Sequence, residues 1–145
     1  MKRFVLVLAY ACATASRSSF DFVLSTNEHV HSGARVAGSI NNAGMLSLND
    51  PDIGWSIHLA LDGMTAGAHE ANAIVVRKVE TPGIFDGSCA VVLDNHETSN
   101  GDIVTGSFTC KDLASGSEHI AIAVGEFKTF INDAANDLNL NPPPP

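Results

Sequence analysis

From Trp55 to Leu61 the chain alternates strictly. Trp55, Ile57, Leu59 and Leu61 are apolar, while Ser56, His58 and Ala60 stand between them and Asp62 follows. Period two places one set on one face, so this stretch predicts a half-buried strand with the single Trp in the core. Weaker versions of the pattern recur. Phe20–Leu24 predicts a first strand. Arg35–Ile40 and Met45–Leu48 flank Asn41-Asn42-Ala43-Gly44, whose Asn and Gly tolerate positive φ and predict a hairpin turn. Asn49–Gly54 predicts a second turn around Pro51, and Ala73–Val79 a β-branched strand broken by Glu80-Thr81-Pro82-Gly83. Gly63–Asn72, rich in Ala and Gly, predicts a loop or short helical turn.

The strongest strand signal lies between Gly87 and Ile131. It reads G-S-C-A-V-V-L-D, a polar turn, D-I-V-T-G-S-F-T-C, a Gly/Ser loop, and H-I-A-I-A-V-G-E-F-K-T-F-I. About eight short strands and no long amphipathic helix predict an all-β domain over residues 20–131, an antiparallel sandwich or small barrel of seven to eight strands. A helix over Glu126–Leu138 is the alternative for the last element. Residues 132–145 form a polar tail ending in four prolines, expected to fray.

Opposed residues in an antiparallel hairpin share a constant index sum. A loop centred on Ser99-Asn100 gives 199, which sets Cys89 opposite Cys110, Val91 opposite Phe108 and Leu93 opposite Gly106. A turn centred on Asn100-Gly101 slips that register. The aligned form predicts a Cys89–Cys110 disulfide, closing about 20 residues at roughly 3 kcal/mol in the chain-entropy model. The alternative is two reduced thiols on one strand face.

The N-terminus adds a compartment. Met1-Lys2-Arg3 is basic, Phe4–Ala11 is apolar and uncharged, and Ala, Thr, Ser and Arg follow to Ser19. That is the order of a secretory signal. The apolar run is too short for a bilayer span of about 20 residues; the competing reading is a cytosolic strand over Phe4–Tyr10. Within the run, Leu8-Ala9-Tyr10-Ala11-Cys12 resembles the lipobox of bacterial lipoproteins. That resemblance implies lipidation at Cys12, a signal over 1–12, a linker over 13–19 and membrane attachment through the lipid. Ordinary cleavage after Ala13 is the other outcome. Either one removes Cys12 from the odd count of three and leaves Cys89 and Cys110 as a pair. The later segment V-T-G-S-F-T-C followed by V-G-E-F-K resembles small secreted bacterial lipoproteins through Gly106, Ser107, Phe108, Cys110, Gly125 and Phe127. V-T-G-S-x-x-C followed by I-A-I is also similar to mycobacterial lipoprotein antigens. Neither resemblance brings a catalytic residue.

Charge narrows the partners. Eight basic and sixteen acidic residues give −8, and removal of Lys2 and Arg3 makes it −10. No basic cluster exists, which argues against nucleic-acid binding. Glu28-His29-Val30-His31 is the sharpest metal candidate. On a strand His29 and His31 share a face, with His58, His69 or Glu70 as a third ligand. Asn49, Asp50 and Asp52, or Asp94, Glu97 and Asp102, lack the alternating spacing of a calcium loop and read as turn residues. No G-x-S-x-G, H-E-x-x-H, Walker or dinucleotide motif occurs, and the disulfide denies a free thiolate to a Cys-His pair. The expectation is therefore an exported envelope module, structural or binding, not an enzyme and without a cofactor. The alternatives are a small-ligand binder with a barrel cavity and a metal-dependent protein built on His29 and His31.

Overall fold

The computed structural model describes residues 17–133. Among them nine strands form one antiparallel sheet: β1 Ser19–Leu24, β2 His29–His31, β3 Ala37–Ile40, β4 Met45–Asp50, β5 Trp55–Leu61, β6 Gly67–Arg77, β7 Gly83–Leu93, β8 Ile103–Ser115 and β9 Glu118–Phe130. The spatial order is β2-β1-β9-β8-β7-β6-β5-β4-β3. From β3 to β9 each strand pairs with the next in sequence. β1 then joins the far side of β9, so the first and last of the described strands are neighbours. The sheet curls into a half-barrel rather than splitting into two facing sheets.

The curl brings β3, at one edge, against the end of β9 and the start of β1. Ile40 at the end of β3 bridges Ile131 in parallel. Asn132 N–H donates to the Ile40 carbonyl. Ser18 Oγ donates to the Gly38 carbonyl at 3.1 Å and lies 2.8 Å from Thr129 Oγ1. Both outer strands are short, which limits the free backbone edge.

One face of every long strand points inward. Phe22 from β1 meets Trp55 from β5 edge-on, with ring centroids 5.4 Å apart, and lies 6.3 Å from Phe108 of β8. Ile57, Val75, Phe85, Val91, Val104 and Leu113 are fully buried around them. Arg77 fastens the rim. Its guanidinium spans both carboxylate oxygens of Glu118 at 2.8 and 2.9 Å, donates to the Thr81 carbonyl and lies over the Phe85 ring.

The predicted register of the Cys hairpin holds. Val91 pairs with Phe108, Ala90 with Thr109 and Leu93 with Gly106. Cys89 and Cys110 are disulfide-bonded with Cα atoms 4.3 Å apart, the spacing of a close, non-hydrogen-bonded cross-strand pair. Just beyond, the register becomes Gly87 with Leu113. One extra β8 residue is absorbed there, and Lys111 and Asp112 both face outward before Leu113 turns back in. A matching bulge exposes Ala123 and Val124 of β9. Such bulges bend and twist a sheet locally.

One expectation is overturned. Gly67–Asn72 is strand, not loop: β6 pairs with β7 over eleven consecutive positions. Ala, Glu and Asn are poor strand formers, and long pairing overrides that preference. β9 runs to Phe130, as the strand pattern predicts, and the helical alternative over Glu126–Leu138 does not hold across residues 126–130. His29–His31 forms a short strand with both histidines on one face, and it brings the described strands to nine against the seven to eight expected.

Candidate functional site

The inward positions are taken up by the core, so the chemistry lies outside. Across the outer face of β3 to β6 the pairing sets Ser39 beside Ser47, Ser47 beside His58 and His58 beside Ile74. The neighbouring row is Met45, Ala60 and Asn72. Together they line a groove of about 430 Å³. Met45 and Ile74 are about half exposed and supply apolar walls.

His58 is the centre of this groove. Ser47 Oγ lies 2.9 Å from its Nδ1 and Ser56 Oγ 3.3 Å from its Nε2. Partial burial pulls the imidazole below its usual titration range, because low-dielectric surroundings disfavour the charged ring. The neutral ring donates from one nitrogen and accepts at the other, and a serine hydroxyl fills either role. Alternation placed His58 on the polar face, but the two serines reach it only through the β4–β5 register and the two-residue step within β5.

A second outer hollow, of about 520 Å³, lies over β1, β9 and β8. Asp21 sits beside Glu126, Glu126 beside Ser107, and Ser19 beside Lys128. Its lining is carboxylates, hydroxyls and one lysine, with little apolar surface to hold a ligand. The β3–β6 groove combines apolar walls with convergent polar groups, the usual composition of a small-molecule site.

His29 and His31 occupy β2 with Val30 buried between them, so both lie on its outer face as period two requires. His31 Nδ1 is 3.7 Å from Asp21 Oδ2, with both side chains exposed. Among the described residues no group of three His, Cys, Asp or Glu is placed to hold a metal ion. The third ligands considered are engaged elsewhere or on another strand: His58 with its serines, His69 with Asp62 and Thr65, and Glu70 on β6.

The acidic turns do structural work. Asp50 is fully buried and its carboxylate accepts from Gly33 N–H at 2.7 Å and Asp52 N–H at 2.9 Å. Asp52 pairs with Arg35, and each holds the other's charge: Asp52 is lowered and Arg35 raised, mainly by their side-chain hydrogen bond. Asp102 accepts from Ser99 N–H and Asp94 from the Thr105 hydroxyl. Cys12 lies outside the described residues. No family model, curated protein or solved structure matches the chain.

Proposed function

We propose that the chain is an exported, lipid-anchored module of the cell envelope that acts by binding rather than by catalysis. The observation that carries this reading is the buried Cys89–Cys110 disulfide. Structural disulfides form and persist in oxidising compartments and are rare where thiols are kept reduced. The basic-then-apolar start and the lipobox-like Leu8–Cys12 supply the route and the anchor. The test is the intact mass of the protein purified from its native host. The expected mass lacks residues 1–11, carries lipid on Cys12 and is two hydrogens short for the bridge. A mass that keeps Met1 with three free thiols sinks the proposal.

Small-ligand binding is the second reading, favoured by the groove around His58. Buried side chains occupy the inside of the sheet, so the ligand belongs on the outer face of β3 to β6 instead of in a barrel cavity. It would carry an apolar part for Met45 and Ile74 and a hydrogen-bonding group for Ser39, Ser47 or Asn72. Screening small fragments by NMR should shift Ser47, His58 and Ile74 first; shifts elsewhere only would end this reading.

The absence of catalysis is also open to test. Behind the His58 ring stands the Ser56 hydroxyl, which cannot stabilise an imidazolium as a carboxylate does. A fluorophosphonate probe should therefore leave Ser47 unlabelled.

A further inference from the structure

The loop between β5 and β6, residues 62–66, is held by two histidines from outside it. His69 of β6 points inward and is nearly buried. Its Nδ1 lies 2.5 Å from Asp62 Oδ1 and its Nε2 2.5 Å from the Thr65 carbonyl oxygen. A carbonyl oxygen only accepts, and so does an ionised carboxylate. Both ring nitrogens must then donate, which only the imidazolium does. One residue earlier, the Met64 carbonyl lies 3.0 Å from His96 Nδ1, on the β7–β8 loop. Met64 itself is buried in the core cluster. The loop therefore folds a core side chain inward, with consecutive carbonyls tied down on either side.

We propose that residues 62–66 form a proton-controlled lid over the apolar interior, latched by the imidazolium of His69 bridging Asp62 and Thr65. When the ring loses its second proton, one acceptor faces a lone pair, the bridge breaks on that side and Met64 is freed to leave the core. Among the described residues the inward face around His69 carries no other charged side chain on β6 or β7. Val91 stands opposite His69 on β7, with Cys89 and Leu93 flanking it on the same face. His69's own strand places Gly67 and Ala71 on that face. Asp62, the first residue of the loop, and His96 from the β7–β8 loop are the titratable groups at the lid among the described residues.

The direction of the pH response follows. His69 is raised above 6.5, first by the Thr65 carbonyl and then by Asp62, and Asp62 is lowered by its bond to His69. A raised histidine contributes fully below its unfolded value and loses that contribution as pH climbs through its folded value. A lowered carboxylate contributes above its unfolded value and loses it as pH falls through its folded one. The lid is closed between these limits and loosens towards alkaline pH.

The experiment is hydrogen exchange with NMR detection on the full chain from pH 5 to 9, with exchange rates corrected for intrinsic chemistry. Protection of the amides of 62–66 should fall by up to about tenfold per pH unit above 6.5, then level off past the His69 midpoint. His69→Gln should make protection independent of pH. If that variant does not fold, Asp62→Asn decides: it should lower the His69 midpoint while far-UV circular dichroism stays unchanged. His96→Gln should leave the midpoint in place. Titration of His69 at or below 6.5, or lid amides that ignore its midpoint, overturns the proposal.

Discussion

Gly125 has no side chain because Phe108 occupies the space. A Cβ there would lie 2.4–2.7 Å from three atoms of that ring. The relation is reciprocal, since the Phe127 ring covers Gly106, where a Cβ would approach it at 2.7 Å. Gly106 pairs with Phe127 and Phe108 with Gly125 across β8 and β9, so each ring lies over the bare backbone opposite. This arrangement explains why G-S-F and G-E-F stand where they do without any chemical role. Gly125→Ala should cost about 1–3 kcal/mol through overpacking, measured by urea unfolding. Adding Phe108→Leu should return part of the loss if the clash is the cause. His58 gives a second check at this scale. Its lowered titration means the folded state resists the proton, so its contribution is present above 6.5 and lost as pH falls through the folded value. NMR should place its midpoint below 6.5, and His58→Gln should remove that part of the acid sensitivity.

The element that organises the sheet is the β7–β8 pair. Its disulfide joins residues 21 apart in sequence. Replacing both cysteines with alanine should cost about 3 kcal/mol in the chain-entropy model, read as a lower urea midpoint. An unchanged midpoint would remove the bridge from the list of stabilising features. The bulge after Cys110 shows the limit of period-two reading. Lys111 and Asp112 both face water, and a strict alternation would have buried one of them. Sequence separation gives no sign of where two strands cease to keep step; the packing of Leu113 into the core decides it.

At the scale of the whole molecule, Phe22 joins the first strand to the opposite wall. It touches Trp55 of β5 and Phe108 of β8, while its own strand closes on β9. Phe22→Ala should cost about 3–5 kcal/mol through cavity formation. Because the core is one cluster, unfolding should remain a single transition followed alike by Trp55 fluorescence and far-UV circular dichroism. Two separated transitions would show that β1 and β2 unfold apart from the rest.

Alternation and turn residues were sufficient for an all-β domain, the Trp55–Leu61 strand and the Asn41–Gly44 hairpin; the index sum offered the Cys89–Cys110 pairing as one of two registers, and the structure keeps it although the tight turn falls at Asn100-Gly101. These depend on neighbours in sequence or on one turn, so the chain carries them locally. The polar face of β5 was equally legible, and His58 with it. Tertiary structure alone decided that β1 and β9, the first and last of the described strands, pair, that residues 67–72 extend β6, and that Ser47 reaches His58 from the neighbouring strand. It also decided that His29 and His31 share a face without a third ligand among the described residues, and that His69 turns inward onto a loop. Each of these depends on which strands become neighbours once the sheet curls, and that is settled by the packing of distant side chains such as Phe22, Trp55 and Phe108.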